Sequence, residues 1–123
     1  MEPSATFTKW MVGDGPEMRG IVGGDGGEGA FAGRVLEMIA GPTVAIAAAY
    51  ELHGSERPFS ALVHVEQTGL HAVITGVVTD GWGKGSPVQG EYDQIQCEHD
   101  GVTTDCWRGT LAVLEPATAG ATA

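Results

Sequence analysis

At 123 residues and 42% apolar content, the chain holds enough material for one packed domain and excludes wholesale disorder. Sixteen acidic against six basic side chains give a formal charge of −10, which repels phosphate backbones and anionic bilayers and argues against nucleic acid as a partner. The opening Met-Glu-Pro-Ser-Ala-Thr-Phe lacks the basic and apolar parts of a secretory signal, and the longest apolar run, Val44–Tyr50, falls far short of the roughly 20 residues of a spanning helix, so the expectation is a cytoplasmic protein with no membrane partner.

Twenty glycines and six prolines cut the chain into short segments whose alternating or β-branched character predicts strands. Phe7–Val12 and Met18–Val22 come first, separated by the turn Gly13-Asp14-Gly15-Pro16. After a Gly-rich loop, Ala30–Ile39 reads as a third strand, and Gly41-Pro42 turns into the long run Thr43–His53. In that run Val44, Ile46, Ala48, Tyr50 and Leu52 share one face. Beyond the polar loop Gly54–Pro58, Phe59–Gln67 and Leu70–Thr79 form the clearest hairpin, predicted to turn at Thr68-Gly69. The loop Gly81–Pro87 leads to the last two strands, Val88–Cys97 and Cys106–Leu114, with Asp100-Gly101 as the intervening turn. Residues 115–123, rich in Ala, Thr and Gly, read as a disordered tail to a single domain over 1–114.

Eight strands of this length predict an all-β fold, a single small antiparallel β-barrel closed so that no edge is exposed. Such a barrel is either filled or holds one small ligand. Alanines 45, 47, 48 and 49 leave volume on whichever face they occupy, which is room for a ligand or for a large aromatic such as Trp10 or Trp107.

The chemistry-bearing candidates cluster on the fifth and sixth strands. A Thr68-Gly69 turn would set Glu66 opposite His71 and His64 opposite Val73, bringing His64, Glu66 and His71 to one face. Two imidazoles and a carboxylate suit general acid/base catalysis, with Glu66 orienting His71, or a two-His, one-carboxylate metal site. The opposite face, with Val63, Val65, Leu70, Ala72 and Ile74, suits a core, which would leave the trio in solvent. Tyr50 and Tyr92 are candidates to present phenols to a bound molecule, the alternative being cross-strand packing. Trp82, in its Gly-rich loop, could cover a barrel mouth or fold back onto the core. Cys97 and Cys106 flank the last turn, close enough for a disulfide if directly opposed; otherwise they are two inert thiols, and no metal-ligand spacing surrounds them.

The loop Gly24–Gly29 formally contains GxGxxG, and residues 30–40 could be drawn as a following helix. Yet Asp25 and Glu28 stand where a pyrophosphate would approach, and no helix-strand alternation follows to build a doubly wound sheet. Gly81–Ser86 lacks the order of a P-loop.

The succession Gly24–Gly33, Ala49–Gly54 and Val73-Ile-Thr-Gly76, each near a Gly-rich loop, resembles the allene oxide cyclase and dirigent barrel group over roughly Gly24 to Leu114. The segment after Gly76 departs from that group's dense Gly-Gly-Thr-Gly run. The resemblance implies an eight-stranded, often homo-oligomeric barrel whose apolar cavity folds a reactive small molecule for cyclisation or isomerisation without a cofactor. On that expectation His64, Glu66 and His71 act on the molecule, Tyr50 and Tyr92 line its site and Trp82 lies near the mouth. The alternatives are a non-enzymatic carrier or sensor of the same shape and an interaction module with a solid core.

Overall fold

The computed structural model describes residues 4–13, 15–99 and 101–114. Eight strands occupy the predicted segments: β1 (Ser4–Met11), β2 (Glu17–Gly24), β3 (Gly29–Ile39), β4 (Thr43–Gly54), β5 (Phe59–Thr68), β6 (His71–Gly81), β7 (Pro87–His99) and β8 (Val102–Val113). Each pairs antiparallel with the next, and β1 with β8 closes the barrel. Residues 30–39 are strand, which removes the nucleotide-fold reading of Gly24–Gly29. The tail 115–123 and Asp100 lie outside the described residues.

Alternation decides what faces inward. On β4 the five residues read as sharing one face, Val44, Ile46, Ala48, Tyr50 and Leu52, turn out to be the interior set, so Ala48 alone of the four alanines points into the barrel. Phe7, Phe31, Tyr50 and Tyr92 meet at the centre, with Phe7 5.8 Å from Phe31 and 6.3 Å from both tyrosines, and Phe31 5.0 Å from Tyr50. Glycines make this packing fit. Gly20 lies opposite Phe31, Gly33 opposite Tyr50, and Gly109 opposite both Phe7 and Tyr92. Each leaves the inner wall bare where a large ring crosses it, the arrangement that lets a sheet coil tightly around an aromatic.

One end is sealed: where β1 and β5 begin and β8 finishes, Ala5, Phe59, Trp82 and Val113 leave only about 10 Å³. On β7–β8, Cys97 and Cys106 are joined by a disulfide across a diagonal, since Cys97 faces Thr104 and Cys106 faces Ile95; their Cα atoms are 5.8 Å apart. Direct opposition is therefore not required, because diagonal residues on one face are within bridging reach.

Candidate functional site: an interior cavity around a buried lysine

At the end opposite the seal the interior is unfilled, leaving a cavity of about 280 Å³. Its two sides differ in chemistry. Strands β1–β4 supply Met11, Met18, Val35, Met38, Val44 and Ile46, a wall of thioethers and aliphatic groups; β1, β5, β7 and β8 supply Lys9, Gln67, Tyr92, Gln94 and Trp107. A bulge on β3 between Val35 and Glu37 shifts the strand's phase, so that both Val35 and Met38 line the cavity although they are three residues apart. Met38 is 56% exposed and marks the mouth.

Lys9 follows Ala5 and Phe7 in the inward phase of β1 and is only 5% exposed. Its Nζ lies 3.3 Å from Met18 Sδ and over three rings, 4.8 Å from the centroid of Tyr92, 5.2 Å from Trp107 and 5.3 Å from Tyr50. No carboxylate pairs with it among the described residues, although the chain carries sixteen acids. Burial pushes the amine from its usual 10.5 down to about 7. Burial likewise raises Tyr92 to about 12 and, with the Tyr92 phenol beside it, lifts Tyr50 well above the ordinary tyrosine value. Tyr92 Oη donates to Gln67 Oε1 at 3.3 Å, and Gln67 Nε2 donates to Gln94 Oε1 at 3.0 Å, which fixes the polar wall.

The expected trio lies on the outside of the barrel. The β5–β6 turn is Gly69-Leu70, with Gly69 at φ 62° in the first central position that a primed hairpin turn favours, so Thr68 faces His71 and Glu66 faces Val73. The expected Glu66–His71 opposition is thus corrected by one turn residue. His64 Nε2 is 3.0 Å from Glu66 Oε2, with side chains 54% and 60% exposed, and His71 Nδ1 is instead 2.9 Å from Asp93 Oδ1. The hydrogen bond to Asp93 raises the His71 pKa. Among the described residues no group of three ligating side chains could hold a metal. Tyr50 and Tyr92 are among the residues that line the cavity. Trp82 does not stand at its mouth: it packs at the sealed end, with the Arg57 guanidinium 4.9 Å from its ring. A larger concavity of about 550 Å³ lies along β1, β2 and β8, with Thr6, Thr8, Ile21 and Arg108 among its lining.

Set against known proteins, the chain matches no family model, no curated relative and no solved structure. The residue that sequence reasoning missed is Lys9, and its signal was available: Phe7, Lys9 and Met11 share one phase of β1, so a lysine occupies an inward position.

Proposed function

We propose that the barrel binds a small amphipathic molecule in the cavity around Lys9, its apolar body against the methionine-rich wall and its polar end toward Lys9 and the Gln67–Tyr92–Gln94 wall. The observation that carries this reading is an unfilled interior with chemically distinct sides, reached past Met38. A volume of about 280 Å³ is at the low end of ligand sites, which favours a small ligand. Flexible, polarisable methionines adapt to irregular apolar shapes. A cyclase or isomerase, as the resemblance to the allene oxide cyclase and dirigent group suggests, would have to use Lys9, Tyr50 and Tyr92. His64, Glu66 and His71 are separated from the interior by the barrel wall.

The neutral dye N-phenyl-1-naphthylamine tests the reading. It should bind the folded wild type with a fluorescence gain, and Val44→Phe, which narrows the cavity, should weaken binding by roughly tenfold with the fold intact. A folded barrel that leaves the dye dark, or Val44→Phe binding as wild type does, would overturn it.

A further inference from the structure

Resting on that reading and narrowing it, we infer that Lys9 is a nucleophilic amine that captures an aldehyde or ketone ligand as a reversible imine inside the cavity. An amine held for structure alone would be expected beside a carboxylate; Lys9 has none among the described residues and faces the cavity instead. Its surroundings also discriminate between ligand classes. A carboxylate would need converging N–H or O–H donors beside the cation, whereas Nζ is surrounded by a thioether and three ring faces, and the Tyr92 hydroxyl is committed to Gln67. Ring faces carry negative charge density and disfavour an anion. They favour a cation, and a protonated imine is one whose charge spreads over carbon and nitrogen.

The bond changes are simple. The Nζ lone pair adds to the carbonyl carbon, forming a C–N bond while the C=O π pair moves to oxygen. The C–O bond then breaks and the two amine hydrogens leave with the oxygen as one water, giving a neutral C=N that takes one proton from solvent water to become the protonated imine. Hydrolysis reverses each step, so no oxidant or reductant enters. Burial supplies the reactive form: near neutral pH a large share of Lys9 is the free amine, while an ordinary exposed lysine is almost wholly protonated.

The chain provides its own control, since its only other lysine, Lys84, lies in the exposed loop after β6. The full chain would be incubated at pH 8 with cinnamaldehyde, reduced with cyanoborohydride and mapped by peptide mass spectrometry. Parallel arms titrate cinnamyl alcohol and cinnamate, which keep the skeleton without a reactive carbonyl. We expect Lys9 to gain the reduced adduct at least about ten times more than Lys84, and Lys9→Met, shown to be folded by its circular dichroism, to lose that adduct. Label on Lys84 and the amino terminus but not on Lys9 overturns the imine, whatever Lys9→Met does. If cinnamyl alcohol still binds in that case, the cavity reading stands alone; if cinnamate binds more tightly than the alcohol, the site is an ion-pairing one. If no probe binds and no Lys9 adduct forms, both readings fail.

Discussion

A charged ammonium at Lys9 exchanges its hydration for three ring faces and one thioether, none of which neutralises it. Cation–π contacts return about 0.5–2 kcal/mol each against the several kcal/mol lost on taking an ammonium out of water, and with no counter-charge beside it desolvation wins, lowering the amine to about 7. A fall from 10.5 to about 7 corresponds to about 5 kcal/mol of stability linked to one proton. The folded chain releases that proton near pH 7 and the unfolded chain only near 10.5, so between those values the unfolded state binds more protons and stability rises with pH. The titratable groups facing Lys9 are Tyr50 and Tyr92; both hold their protons higher than an unfolded tyrosine does, so above about pH 10 their contribution runs the other way. Lys9→Met should therefore be more stable than wild type by several kcal/mol at pH 7, with the difference shrinking toward pH 10. Urea midpoints of both proteins at pH 7, 8, 9 and 10 measure it; a less stable variant at pH 7, or a difference that does not change with pH, would contradict it.

Among the elements, strand existence was legible because period-2 patterning and turn residues agree in every segment, and even the set of residues sharing one face of β4 could be read directly. Register was not. Thr68-Gly69 and Gly69-Leu70 are both plausible two-residue turns, and the choice between them moves every cross-strand partner of β5, separating Glu66 from the position opposite His71. The β3 bulge is invisible as well, since no residue type in Val35-Leu36-Glu37 announces that Met38 will line the cavity. The inward glycines carry a prediction. A Cβ at Gly109 would collide with Glu91 O and meet Tyr92 Cβ 2.6 Å away, so the wall that positions Tyr92 would have to move. Gly109→Ala should cost about 2 kcal/mol or more and weaken dye binding, while Gly41→Ala, exposed and 3.4 Å from the nearest atom, should change stability by less than about 0.5 kcal/mol. Equal urea midpoints for the two variants would show that the bare wall does not hold the ring.

For the molecule as a whole, the predicted eight-stranded barrel matches the closed one observed, because short strands of regular spacing that must hide every edge leave few architectures. The location of the empty volume could not be read in the same way. It depends on which end the aromatic cluster fills, and so on the strand registers, whereas His64, Glu66 and His71 stood out by residue type alone. The closed end, the ring cluster and the unfilled end follow one another along the barrel axis, so among the described residues the unfilled end is the place the proposed ligand occupies. The most direct measurement is methyl NMR of protein ¹³C-labelled at its methionine, leucine and valine methyls, titrated with cinnamyl alcohol, with the Leu62 and Val77 methyls as outer-face reporters. The account predicts that Met11, Met18 and Met38 shift together and saturate while the outer methyls stay still; shifts at Leu62 and Val77 with the three methionines unmoved would contradict it.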